Sequence, residues 1–482
     1  MIRLFRLLTR PLEFTGRGGY FELLKLAYPL ILMSASNTIM QFIDRKFLAL
    51  SSTVDVAAAM PAGILYFTLF CLFLSAATFT STIVAQYHGS NDRQSMLSAV
   101  WSGVYFAIGA GLIITFIVPF AGRYLIGLGG HSPDLYWREI AYFDGLIPSG
   151  VFACLAAPFF SFFSGQGRTL PVAVINILAC VLNIFMDYVF IFGWGPIPAM
   201  GIFGAGITTS FCAMLAFLSI FIYFLLQNQD VSPTRRNIRP KWEGVTRLIR
   251  YGIPTGVQVA FDCGAFALVS FTVGTLGSSQ LAAHTIALSI NNMFFIPLLG
   301  LSDATSILIG QYIGRSKHSI ARRIAYRAWR VSILYMMLGG IVYLFFPEAL
   351  AEMFRPKVDD GSFPMIVELA GWLLVTAFVF NMSDTLKFIF AASLRGAGDT
   401  RPIMLICMSC AYLLMVPGVL VIVYVFKGNV IWVWVYLVFT ATLEGVLIML
   451  RFRSGKWRHI RMIRPAGKIA RLDEKRQQAG TE

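Results

Sequence analysis

The chain has 482 residues, of which 57% are apolar, 13% are charged and 42 are Phe, and its formal net charge is +15. Soluble domains carry about 25% charged and about 45–50% apolar residues, and single cores stop growing near ~250–300 residues, so this composition excludes a soluble globule and requires a bilayer. No basic stripe interleaves with aromatics, so nucleic acid is not an expected partner; Lys and Arg kept in cytoplasmic loops account for the positive balance.

In chain order, the N-terminal "MIRLFRLLTRPLEF" has no short apolar core followed by a small-residue cleavage site, so no removable signal peptide is expected. Arg3, Arg6 and Arg10 alternate with apolar residues, which suits a short helix lying on the membrane surface. Apolar runs of spanning length then recur near 22–49, 54–86, 95–120, 138–164, 170–193 and 202–227, and again near 247–276, 280–311, 320–346, 364–394, 401–427 and 430–452. Twelve transmembrane helices follow. The predicted organisation is an interfacial segment (1–21), an N-terminal six-helix lobe (22–227), a polar cytoplasmic linker (228–246), a C-terminal six-helix lobe (247–452) and a basic cytoplasmic tail (453–482). Clusters such as Arg235, Arg236, Arg239 and Lys241, or Arg315, Lys317, Arg322 and Arg323, fall on one side together with both ends of the chain. The positive-inside rule makes that side the cytoplasm. The seven cysteines nearly all lie in apolar runs, as small buried residues do; Cys407 and Cys410 have CxxC spacing but lack partners at metal spacing.

The two halves are similar to each other. Pro29 and Gln86 of the first correspond to Pro254 and Gln311 of the second at the same separation, with "AQYHG" (85–89) matching "GQYIG" (310–314). Further on, "GQGRTLP" (165–171) matches "GAGDTRP" (396–402). These glycine-bearing turns follow no strand and lack P-loop spacing, so they are tight turns rather than phosphate cradles. A parallel duplication of six spans predicts an all-α integral membrane fold: two pseudo-symmetric lobes around a central cavity, an arrangement recurrent in secondary transporters.

Taken together, the "SGQGRTLPV" and "LRGAGDTRPI" turns, the "AQYHG" and "GQYIG" pair, "LNIFMDYVFIFGWGPIPAMGIFGAGITT" and "IRYGIPTGVQVAFD" resemble multidrug and toxic compound extrusion (MATE) transporters, in particular their bacterial NorM-like branch. The resemblance covers residues 22 to about 455. It implies efflux of amphipathic, often cationic compounds in exchange for inward H⁺ or Na⁺.

An ionised side chain at the bilayer centre costs ~2.5–3.5 kcal/mol on insertion scales, so intramembrane acids are functional candidates by default. Five stand out: Asp44, Asp187, Asp262, Asp303 and Asp384. The resemblance implies that Asp262 takes the place of a cation-binding Glu of the NorM-like branch and that Asp384 matches its partner acid, making Na⁺ possible at these two. Lys387 departs from the pattern. It shares a helix face with Asp384, and its ammonium would fill space a Na⁺ needs, which favours H⁺. Asp44, Asn183 and Asp187 match the polar cluster of the family's N-terminal lobe, and Asn183 and Asp187 stand one helical turn apart. Asp303 is a possible additional member of the C-terminal-lobe site. Glu444 and His284 are expected to be packing and interface residues. Pro29 and Pro254 fall inside early helical runs, where proline bends a helix, and are candidate movable elements beside the acids. Phe159, Phe160, Phe162 and Phe163 are expected mostly to face lipid or to pack.

The reading is therefore a monomeric secondary antiporter of the cell (inner) membrane, in contact with lipids and small-molecule substrates, with both termini cytoplasmic. It is not an enzyme, because no HxxxH or DxxD cluster appears. It needs no cofactor beyond the coupling ion. The alternative is a lipid-linked saccharide flippase of the same wider superfamily, for which more mid-span cations than Lys387 would be expected.

Overall fold

The computed structural model describes residues 16–227, 242–355 and 363–463. The interfacial helix expected around Arg3–Arg10, most of the linker and the end of the basic tail lie outside the described residues.

Among the described residues twelve helices are long and apolar enough to cross a membrane: α1 (Tyr20–Ser51), α2 (Ala57–Gly89), α3 (Arg93–Phe116), α4 (Pro133–Gly165), α5 (Thr169–Phe192), α6 (Gly201–Gln227), α7 (Trp242–Gly274), α8 (Ser278–Gly314), α9 (His318–Phe345), α10 (Phe363–Ala397), α11 (Thr400–Val425) and α12 (Val430–Arg453). Short helices Val118–Leu128 and Pro347–Glu352 follow α3 and α9. The described residues contain no named strand, only one isolated bridge between Trp194 and Ile197. This is an all-α, multi-pass membrane protein. Large apolar side chains such as Leu112, Phe116, Leu413 and Phe426 are left exposed along these helices, as lipid-facing residues are.

Asp55 does not interrupt a span. It lies in the first turn of the helix that begins at Thr53, where a negative charge meets the positive end of the helix dipole. It is 2% exposed and paired with Arg138. α1 instead runs unbroken past Asp44, Arg45 and Lys46.

The described residues form two compact units. One takes up the chain through Ser34, then Val257–Ser306 and Ser319–Arg458. The other takes up Ala35–Gly256, Ile307–His318 and the described part of His459–Glu482. The first unit has its core around Val269, Ala283, Leu373, Leu374 and Trp434. The second is centred on Phe70, Ile114, Phe143 and Leu146.

The duplication is visible in the backbone. Gly167 and Gly398, matched residues of the two glycine turns, both have φ +84°. Each turn closes with the same pair of bonds: Gly167 N to Ser164 O and Arg168 N to Phe163 O, against Gly398 N to Arg395 O and Asp399 N to Leu394 O, all between 2.8 and 2.9 Å. That is a left-handed glycine cap satisfying the last helical carbonyls. Asn91 and Ser316, also matched, both have φ +58°. A Cβ on Gly89 would stand 2.0 Å from the Gln311 carbonyl oxygen, and one on Gly314 would stand 1.9 Å from that of Gln86. The two "QYxG" segments thus cross reciprocally, backbone against backbone, where only glycine fits.

The phenylalanine run of α4 turns inward. Phe159, Phe162 and Phe163 are buried and stack on α6, with Phe159–Phe221 centroids 5.2 Å apart, Phe162–Phe224 5.0 Å and Phe163–Tyr223 4.8 Å. The run packs one helix on another rather than facing lipid. α11 departs from a uniform α-helix: Cys410–Met415 and Val421–Val425 are π-helical. Pro417 lies between them, and its missing N–H and ring clash prevent ordinary α-helical bonding there.

Candidate functional site

Two clusters of intramembrane polar residues form, one in each unit. In the unit containing Ala35–Gly256, Asp44 on α1 and Asp187 on α5 are neighbours, each carboxyl within electrostatic reach of the other. Asp187 is 0% and Asn183 1% exposed. Asp44 Oδ1, both Asp187 oxygens and both Asn183 amide atoms have no hydrogen-bond partner among the described residues. Asn183 lies beside the Cys212 thiol. Thr208 on α6 also stands next to Asp187, but its hydroxyl donates to the Gly204 carbonyl at 2.9 Å. The nearby cation on α1, Arg45, is exposed and forms no ion pair with either acid among the described residues.

The local sequence explains this assembly. Asn183 and Asp187, four apart, occupy one face of α5. α6 is held against α4 by a backbone crossing at Gly145 and Gly206, where a Cβ on Gly145 would meet Gly206 Cα at 3.1 Å. Ser210 fastens that crossing by donating to the Gly145 carbonyl at 2.6 Å and accepting from Ser149 N at 3.0 Å. Small residues permit such close approach between membrane helices. Thr208 and Cys212 are thereby brought to the acid pair.

In the other unit, Lys387 on α10 is the centre. Its Nζ lies 2.9 Å from Glu444 Oε1 on α12 and 3.4 Å from Asp262 Oδ2 on α7. Asp384 is buried and is an electrostatic neighbour of all three. Sequence spacing puts Asp384 and Lys387 on one helix face, yet the ammonium forms ion pairs across helices with Asp262 and Glu444. Glu444, a lipid-edge or packing residue by its sequence position, is thus part of the cluster. A Glu in the middle of "TATLEGVLIML" was itself a signal, since a mid-span acid is costly. What the sequence did not show was the approach of α12 to α10. It is set by Gly445, where a Cβ would meet Leu386 Cβ at 2.9 Å, Ser383 O at 3.1 Å and Lys387 N at 3.2 Å. Tyr412, in the π-helical part of α11, donates to the Phe261 carbonyl beside Asp262 at 3.1 Å.

The remaining candidates are placed elsewhere. Asp303 is exposed on α8, and its electrostatic neighbour is Arg395, which donates to Ser302 Oγ at 3.2 Å. Pro29 and Pro254 lie within α1 and α7 without terminating either helix. His284 accepts from Trp434 Nε1 at Nδ1, 3.0 Å, and its Nε2 is 3.2 Å from Ser270 Oγ. It is a satisfied histidine of the helix interface. Among the described residues no group of three or more His, Cys, Asp or Glu is arranged to hold a metal ion.

Twelve spans, a duplicated half and buried ionisable clusters within the helices define a polytopic membrane transporter rather than an enzyme. Comparison with known proteins agrees. The MatE family profile matches residues 29–189 and 254–421. The chain is 29% identical over 456 residues to a protein of Pseudomonas putida named probable multidrug resistance protein NorM, covering 92% of this chain and 96% of the relative. It is 28% identical over 382 residues to a Shewanella oneidensis protein of the same name, covering 79% and 82%. A solved outward-facing multidrug resistance MATE family transporter superposes with a TM-score of 0.83 at 19% identity, covering 91% of this chain and 96% of that one. The chain belongs to the MatE family of membrane transporters.

Proposed function

We propose that the protein is a secondary active antiporter of the inner membrane that exports amphipathic, cationic compounds in exchange for protons, and that Asp44 and Asp187 carry the exchanged proton. The observation that carries this reading is a pair of neighbouring membrane-embedded carboxyls, of which Asp44 Oδ1 and both Asp187 oxygens are buried without a hydrogen-bond partner among the described residues. Two unit negative charges ~4 Å apart repel by ~4 kcal/mol at an effective dielectric of 20. A proton between them removes that repulsion and supplies an O–H donor. Releasing the proton restores a doubly charged site able to attract a cationic substrate. Proton and substrate then compete for the same negative charge, which is the requirement for obligatory exchange. The names of the relatives in Pseudomonas putida and Shewanella oneidensis support drugs as the substrate class.

The energy is adequate. Exchange of one proton for one monovalent cation moves no net charge, so the pH gradient drives it: each tenfold proton gradient supplies ~1.4 kcal/mol and sustains roughly a tenfold substrate gradient. The positive-inside distribution supports cytoplasmic termini, and the reading requires only one copy of the chain. The test is drug efflux in everted membrane vesicles with Na⁺ and pH gradients imposed separately. Transport driven by the pH gradient alone is expected; no response to either gradient rejects the antiporter.

A further inference from the structure

We propose that the ends of α2, α4 and α8, on the side the positive-inside rule assigns to the cytoplasm, form a binding site for the phosphate headgroup of an anionic phospholipid, held by Arg168 and Arg315 beside His88. The proposal goes beyond ion exchange and does not rest on it.

Three segments of the unit containing Ala35–Gly256 and Ile307–His318 converge there. The end of α2 crosses the end of α8 so closely that a Cβ on Gly89 would stand 3.1 Å from Arg315 N, which sets His88 beside Arg315. Gln311, in the last turn of α8, donates through Nε2 to the Gly165 carbonyl at 2.9 Å, and so ties α8 to the glycine turn that carries Arg168. A Cβ on Gly165 would stand 2.8 Å from Ser81 O, which seats the same turn against α2. The three side chains are therefore brought together by backbone packing. Both guanidinium groups are electrostatic neighbours of His88, with no carboxylate beside them. The acids closest in sequence are engaged elsewhere: Asp92 caps α3 by accepting from Ser95 N at 2.9 Å, and Glu243 pairs with Arg247 at 2.7 Å.

The duplication shows what this end of the unit lacks. The residue of the second glycine turn that matches Arg168 is Asp399, which is buried and accepts twice from Arg451, at 2.7 and 3.0 Å. There charge is closed by charge. Arg168 donates instead to the neutral Gln227 Oε1 at 2.9 Å, and Arg315 lies over the Tyr312 ring, 5.2 Å from its centroid. Like charges gathered by packing are balanced by an anion, and a guanidinium fork matches two phosphate oxygens. Exposed apolar side chains flank Arg168: Leu170 on α5, and Leu225 and Leu226 beside Gln227 on α6. A headgroup phosphate at Arg168 would lay its acyl chains on those leucines, which a soluble phosphate could not do. Basic recesses between helices at the cytoplasmic face suit such headgroups.

The experiment measures lipid retention by the purified full-length protein, by native mass spectrometry in detergent titrated with phosphatidylglycerol or with phosphatidylcholine of the same acyl chains, together with the thermal midpoint in each. Wild type is expected to retain phosphatidylglycerol in preference and to be stabilised by it. Arg168→Gln and Arg315→Gln are each expected to weaken that binding about five-fold and the double variant about twenty-five-fold, while Arg168→Lys, which keeps the charge, keeps most of it. Arg453→Gln, which removes an exposed cation at the same side of the membrane, should leave binding unchanged. Equal weakening by Arg453→Gln would mean diffuse attraction to the whole basic face and would overturn the proposal. So would glycerol phosphate raising the midpoint as much as phosphatidylglycerol, which would mean a soluble ligand, or full retention of phosphatidylglycerol by the folded double variant. Should variants at Arg168 fold poorly, Arg315→Gln against Arg453→Gln decides. None of these readouts needs transport, so their failure is distinct from vesicles unresponsive to either gradient.

Discussion

The close approach at Gly445 can be tested by the smallest possible addition, Gly445→Ala. The new Cβ would stand 2.9 Å from Leu386 Cβ, 3.1 Å from Ser383 O and 3.2 Å from Lys387 N. None of these is the far end of a flexible side chain, so the helices themselves must part. Relieving the shortest contact to the ~3.5 Å of an ordinary carbon pair needs a shift of about 0.6 Å. Overpacking of this kind costs about 1–3 kcal/mol. The same shift would lengthen the Lys387–Glu444 contact from 2.9 Å to about 3.5 Å, which weakens the attraction by ~1 kcal/mol at an effective dielectric of 20. Against these stands a helix-propensity gain of about 1 kcal/mol for Ala over Gly. The net expectation is a loss of about 1–3 kcal/mol. Thermal unfolding of the detergent-solubilised protein measures it. Gly109→Ala on α3 is the matched control, because its Cβ would meet nothing within 4 Å, and it should be neutral or stabilising. Equal midpoints for Gly445→Ala and Gly109→Ala would refute the packing argument.

Three other outcomes follow from the same geometry. Glu444→Leu removes the nearer partner of a buried ammonium and should cost about 3–5 kcal/mol; Lys387→Met added to it should recover most of that loss in thermal unfolding, and no recovery would show that the pair is not coupled. Gly167→Ala and Gly398→Ala each place a side chain at φ +84° and should each lower stability by about 1–2 kcal/mol, with unequal effects arguing against equivalent turns. Arg451→Lys gives up a two-point contact with the Asp399 carboxylate, now 2.7 and 3.0 Å, for a single point charge; a faster proteolytic cut at the α10–α11 turn is expected, and an unchanged rate would count against a latch there.

Much of this architecture is written in the sequence because a bilayer reads hydropathy directly. All twelve spans are legible, and their errors have physical causes. α7 already includes residues 242–246, ahead of the expected start near 247, because its first turns carry Glu243, Arg247 and Arg250, which hydropathy discounts but a helix leaving the membrane tolerates. The duplication is legible because glycines at left-handed or close-contact positions admit few substitutes. Asn183 and Asp187 are legible as a pair because their spacing is local. Partners across helices are not. Lys387 shares a face with Asp384, yet its four-carbon stem reaches Glu444 and Asp262, and which helix lies within reach depends on packing at Gly445. For Phe159, Phe162 and Phe163 the sequence leaves lipid contact and packing both open, and packing on α6 is the outcome: periodicity gives a face but not what covers it.

Proteoliposomes with an acidic lumen and an internal pH dye put the exchange itself to the test. A fluorescent lipophilic cation added outside should enter the wild-type vesicles and speed the loss of luminal protons in step. Asp187→Asn, folded and inserted normally, should abolish that acceleration, because the variant pair has one acid and a fixed amide donor in place of an exchangeable proton. If Asp187→Asn vesicles lose protons to the added cation as fast as wild type, the acid pair does not couple the two flows and the account is wrong.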